Sequence, residues 1–197
     1  MKKMFLVGAV ALFATMNAQT EKGSWVVGGS TTLGFNSVST KYSAGNNSES
    51  DPKISTFTIT PSVGYFVIDK LAVGLDLGYT SISTKDDNEN VSVSTTSVLP
   101  TATYYFKSAS NLIPYLGAGI GYASQKTEYG SEDLTLDGFA WKAKGGLVYL
   151  INQNVGVDLG LGYNQFVNTQ DETEFSTEYK TTTSTLGVNV GFTLFLK

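Results

Sequence analysis

The 197-residue chain contains no cysteine, no histidine and no arginine. Without cysteine there is no disulfide, no thiolate nucleophile and no lipoprotein anchor. Without histidine, catalytic mechanisms that turn on an imidazole base are closed. Lysine supplies all 13 cationic side chains against 17 acids, a net charge of −4. That balance lacks the basic footprint nucleic acid requires, so no nucleic-acid partner is expected. Long apolar runs are equally scarce. The run from Met4 to Phe13 is too short to cross about 30 Å as a helix, and no later stretch approaches about 18 apolar residues.

What is present begins with Lys2 and Lys3, then that short apolar run, then small residues ending in Asn-Ala-Gln. This order of charge, grease and small side chains is the anatomy of a secretory signal. It predicts a signal peptide over 1–18, cut after Ala18, and one domain over 19–197. Setting aside Lys2 and Lys3 leaves 11 lysines against 17 acids, a net charge of −6.

The remainder is organised around the stretch Ile59 to Tyr79, whose odd positions carry Ile59, Val63, Tyr65, Val67, Leu71, Val73, Leu75, Leu77 and Tyr79. Its even positions carry mainly Gly, Ser, Thr and Ala with one Asp76. Strict alternation is a two-faced strand, because successive side chains point to opposite sides. A strand facing water would carry Lys and Glu on its polar face. Gly, Ser and Thr instead imply a narrow enclosed lumen, with hydrocarbon against the other face. Tyr149 to Tyr163 aligns without a gap on Tyr65 to Tyr79, an offset of 84 residues, which suggests two half-barrels of four strands.

Eight strand-like stretches are predicted: 24–38, the two arms of the hairpin, 94–106, 113–126, 136–150, 155–167 and 179–196. Short connections (69–70, 107–112, 152–154) alternate with long ones (39–53, 85–92, 127–135, 168–178), and 13 of the 17 acids lie in or beside the long ones. Aromatic side chains fall in two bands. Trp25, Tyr65, Tyr104 and Tyr149 lie near the short turns; Phe35, Tyr79, Tyr122 and Tyr163 lie near the long loops. Their separation corresponds to roughly 20–25 Å for strands tilted about 40°, the height of an outer-membrane apolar band. The fold class expected is all-β, an eight-stranded antiparallel up-and-down transmembrane β-barrel. Pro61 and Pro100 fall inside strands and predict a bulge or an unpaired ladder position at each, since proline lacks the N–H. The fourth strand also changes parity between Val93 and Val98, consistent with such a bulge.

The motifs P-x-x-x-Y-F (Pro61 to Phe66), P-x-x-x-Y-Y-F (Pro100 to Phe106), PYLGAGIGY (Pro114 to Tyr122) and the terminal NVGFTLFL complete the pattern. On them the chain resembles small outer-membrane barrels of the OmpA/OmpX type, in particular the porin-like β-barrel domain family common in Bacteroidota. The resemblance implies an outer-membrane location, lipid and lipopolysaccharide as surroundings, and insertion by the barrel-assembly machinery. That machinery would read Asn189, Gly191, Leu194 and Leu196, although leucines stand where aromatics are usual. No cofactor and no catalytic or metal site is expected.

Asp76, Lys142, Lys144 and Asp158 share the lumen parity and are expected to form a structural charge network, with Thr58, Thr60, Asn164 or Asn189 as hydrogen-bond partners. The function expected is a structural or surface-interaction barrel with a filled lumen, whose acidic loops meet an extracellular partner. One alternative is a small channel of the OmpW type, which needs an apolar lumen near the outer mouth. The other is a soluble lipocalin-like calyx, which needs the aliphatic face turned inward. The run Asp86 to Asn90 offers oxygen ligands for a divalent cation but lacks the glycine and spacing of a calcium loop.

Overall fold

The computed structural model describes residues 18–33, 53–85, 90–108, 110–129, 132–172 and 177–197. Eight antiparallel strands close into one barrel in sequence order: β1 Trp25–Leu33, β2 Lys53–Ile68, β3 Leu71–Lys85, β4 Asn90–Tyr105, β5 Leu112–Tyr129, β6 Glu132–Leu150, β7 Val155–Glu172 and β8 Thr177–Leu196. Closure is made by β1 against β8, with Trp25 opposite Leu196 and Leu33 opposite Val188. A closed barrel has no open edge, so every strand finds a ladder partner on both sides.

The alternation in the sequence becomes the two faces of the wall. Leu116, Ile120, Leu161, Leu186 and Phe192 point outward and are each more than 60% exposed. Asp76, Lys142, Thr101, Thr103 and Thr193 point inward and are buried. This arrangement excludes the lipocalin-like alternative, which requires the opposite.

The connection Asp69–Lys70 is as short as expected, and the other connections at that end join Tyr105 to Leu112 and Leu150 to Val155. At the opposite end the strands run further than the loop-like composition indicated. β5 reaches Tyr129 and β6 starts at Glu132, so most of 127–135 is strand; β7 and β8 likewise absorb much of 168–178. The reason is that a ladder depends on backbone pairing and not on an apolar face. Lys126, bridging Glu128 and Asp133 at 2.8 Å each, shows a cross-strand charge set holding such an overhang. The long connection at 39–53 lies outside the described residues up to 52, and so does 86–89 of the candidate cation run.

Both prolines sit where pairing is interrupted. The β2–β3 register skips from Ile59–Tyr79 to Ser62–Asp76, and the β4–β5 register skips from Val98–Tyr122 to Thr101–Gly119. The expected parity bulge in β4 is absent: β3–β4 runs unbroken from Leu71–Tyr104 to Lys85–Asn90. Val91 and Val93 therefore lie on the inner face. Apolar side chains there are sheltered by the wall, so no slip is needed to remove them from water. A register shift lies between Phe66 and Ile68, beside the turn.

Shifting both members of the Ile59–Tyr79 pair by 84 residues gives Ala143–Tyr163, itself a pair of β6–β7. The two hairpins thus share register as well as sequence, and occupy opposite walls.

Candidate functional site

The interior is stacked in three layers. Nearest the short turns, the inward members of adjacent aromatic pairs meet on the axis. Phe66 and Phe195 are fully buried, with ring centres 6.4 Å apart. Tyr105 packs on both, 5.6 Å from Phe66 and 5.7 Å from Phe195, and lies 6.0 Å from Tyr115. Val26, Ile113, Val148 and Leu150 complete this plug. The lumen at this end is filled by aromatic and aliphatic side chains and not by the Gly, Ser and Thr of the hairpin's inner face. Each strand's own alternation carried the signal: Tyr65 points out, so Phe66 points in, and the same holds for Tyr104 and Tyr105. An aromatic side chain has high β-propensity on either face, so residue type alone does not separate girdle from plug.

Above the plug lies the charge layer. β3 projects Asp76 and β6 projects Lys142 and Lys144, two positions apart and hence on the same face. Both ammonium groups converge on Asp76 Oδ2, that of Lys144 at 3.0 Å. Thr101 Oγ1 donates to the other oxygen at 3.5 Å. Asp158 enters from the opposite wall on β7 and accepts a hydrogen bond from the Tyr115 hydroxyl at 2.8 Å. The hydroxyls that meet the two carboxylates are those of Thr101 and Tyr115, and Thr58 hydrogen-bonds Thr80 at 3.2 Å. Beside these ions is a polar cavity of about 90 Å³, walled by Gly28, Ser30, Thr60, Ser62, Asn164 and Asn189 among others.

The third layer, towards the long-loop end, is a small apolar patch of Leu99, Ala123 and Ala140, with Phe166 packed against it. Composition gave little sign of it, since it draws one residue from each of four strands.

The remaining predicted positions lie on the wall. Trp25 and Tyr65 meet edge to face at 5.1 Å, and with Tyr104 and Tyr149 they point outward near the short turns. Tyr79 and Tyr122 point outward further up, and Tyr163 packs on Trp141 at 5.3 Å. Phe35 lies outside the described residues. In β8, Leu194 and Leu196 face outward, whereas Gly191 is buried and Asn189 lines the cavity. Among the described residues no group of three or more carboxylates could hold a metal ion.

A closed eight-stranded barrel with an aliphatic exterior, aromatic bands and a filled interior defines the class of small outer-membrane β-barrels. The sequence matches the model of the outer membrane protein beta-barrel domain over residues 5–192, and the chain belongs to that family. Its fold is similar to that of Neisserial surface protein A, with a TM-score of 0.55, 19% identity, and coverage of 89% of this chain and 98% of that one. It is also similar to OprG of Pseudomonas aeruginosa, with a TM-score of 0.53, 16% identity, and coverage of 89% and 97%. A third likeness is outer membrane protein W of E. coli, with a TM-score of 0.52, 20% identity, and coverage of 89% and 99%. No curated protein matches the sequence.

Proposed function

We propose that this outer-membrane barrel is a closed, non-enzymatic structural element that presents its acidic long-loop end to the cell exterior, where it meets an extracellular partner. The short turns then face the periplasm, and the chain reaches the membrane after cleavage of the segment before Gln19. The observation that carries this reading is the aromatic plug. An eight-stranded barrel is just wide enough for side chains to fill, and here Phe66, Phe195 and Tyr105 occupy the axis beneath a lysine–aspartate cluster. On this reading water and ions have no continuous path through those layers. In planar bilayers the inserted protein is expected to show no steady conductance. A stable, water-filled conductance in the folded protein would overturn the closed-barrel reading.

A second reading has one specific observation in its favour. The apolar patch of Leu99, Ala123, Ala140 and Phe166 lies towards the outer mouth, where a carrier for hydrophobic solutes needs grease. On that reading solute enters from outside and leaves through the wall above the charge layer, because the way down is plugged. Vesicles carrying the barrel would then take up an alkyl fluorophore faster than empty vesicles, and Phe166→Asp would abolish the difference.

A further inference from the structure

We infer that the short-turn end carries a docking site for the phosphate of an anionic glycerophospholipid, built around Lys70 and Lys107. Four lysines described at this end, Lys22, Lys70, Lys107 and Lys197, face two acids, Glu21 and Asp69. Glu21 is taken by Lys197 at 3.1 Å, and Asp69 Oδ1 accepts the backbone N–H of Lys22 at 2.9 Å. Lys70 and Lys107 are in no ion pair among the described residues. They line one shallow niche with Thr20, Phe106, Ser108 and Ser110 over a floor of Ile113 and Leu150, about 10 Å³ in its enclosed part. That space admits an oxygen of a phosphate and nothing bulkier, leaving the rest of a headgroup outside. Phe106 is 46% exposed on the outer wall and packs edge to face on Tyr104 at 5.0 Å. The niche is therefore continuous with the surface that acyl chains cover.

An independent observation points to the same side chain. Lys70 has φ of 70°, and it is the only non-glycine among the described residues with positive φ. The second position of a two-residue hairpin turn favours glycine, which adopts this conformation freely. Here the strained residue is held by two backbone bonds, its N–H donating to Thr20 O at 2.6 Å and its carbonyl accepting from Tyr105 N–H at 2.8 Å. Backbone strain kept where glycine would relieve it marks a side chain with a task. A lysine anchored in this way projects its ammonium group from a rigid base at the level of the lipid–water boundary. There a lysine gains from an anionic surface what it would not gain in free solution.

This site rests on the reading that the short turns lie at the periplasmic leaflet, which supplies glycerophospholipid. The test uses the full chain folded in detergent micelles, with folding verified by heat-modifiable migration. Native mass spectrometry then compares adducts of phosphatidylglycerol and phosphatidylcholine of matched chain length. Phosphatidylglycerol is expected to be retained about thirtyfold more, the order that two interfacial lysines supply. The preference should fall to parity in Lys70→Gly/Lys107→Gln and stay intact in Lys126→Gln at the far end. Lys70→Gly should unfold at no lower temperature than the parent, since glycine relieves the strain. Equal retention by the parent, or preference persisting in the double variant, overturns the site. So does displacement of the lipid by excess inorganic phosphate, which would make it a free-anion site. Absence of heat-modifiable migration in the parent would instead overturn the membrane reading on which the site rests.

Discussion

Asp76 carries more of the interior than any other single residue. It is 2% exposed and is the shared counter-ion of Lys142 and Lys144. Removing one partner of a buried ionic cluster strands the others without compensation, which typically costs about 3–5 kcal/mol. Asp76→Asn is therefore expected to lower unfolding free energy in urea-treated micelles by about 3 kcal/mol. Asp158→Asn should cost about 1 kcal/mol or less, because the amide oxygen still accepts the Tyr115 hydroxyl. Equal losses at the two positions would show that the lysines do not distinguish them. The inward parity of all four ions could be read from the alternation of their strands. Which carboxylate the lysines would choose could not. That choice depends on stagger around the barrel, which places β6 lysines across from β3 and leaves Asp158 lower down, beside Tyr115.

Glycine separates elements that merely alternate from elements that touch. A Cβ on Gly74 of β3 would collide with the Val63 carbonyl oxygen of β2 and lie 2.6 Å from the Cα of Gly64. A Cβ on Gly29 of β1 would meet nothing within 4 Å. Gly74→Ala must push two backbones apart, and overpacking of this kind costs about 1–3 kcal/mol. Gly29→Ala removes backbone entropy from the unfolded chain and should stabilise by about 0.5 kcal/mol. Urea midpoints of the two variants in micelles should accordingly move in opposite directions. Strand existence, and facing everywhere but the start of β4, were legible among the described residues, down to the turn at Asp69–Lys70. Strand ends at the long-loop side were not, because Ser, Thr and charged residues on both faces look the same in a paired overhang as in a loop. Val91 and Val93 misled for a related reason. They lie on the inner face beyond the ions, where an apolar side chain is sheltered without facing lipid.

The two matching hairpins, β2–β3 and β6–β7, stand on opposite walls and point unequal sets of groups at each other. The first brings Asp76 and Phe66 inward; the second brings Lys142, Lys144, Val148 and Asp158. The ions come from these two hairpins, and Phe66 joins Tyr105 of β4 and Phe195 of β8, so the barrel has two seals in series, ions above and aromatics below. Seals in series predict a specific pattern. Asp76→Ala/Lys142→Ala dismantles the upper seal, leaving Lys144 without its counter-ion, yet the plug still blocks the axis. Phe66→Ala/Phe195→Ala opens the lower end, at about 3–5 kcal/mol for each truncated ring, yet the lysine–aspartate cluster still spans the lumen. Neither variant is expected to conduct steadily, and only the four-site combination should. Planar-bilayer recording reads only molecules that have inserted, so loss of folded yield does not mimic a closed state. Steady current in the aromatic variant alone would mean the ion layer is no barrier. Polar side chains around the 90 Å³ cavity would then already form the upper half of a pore, with the Phe66–Phe195 pair as its stopper.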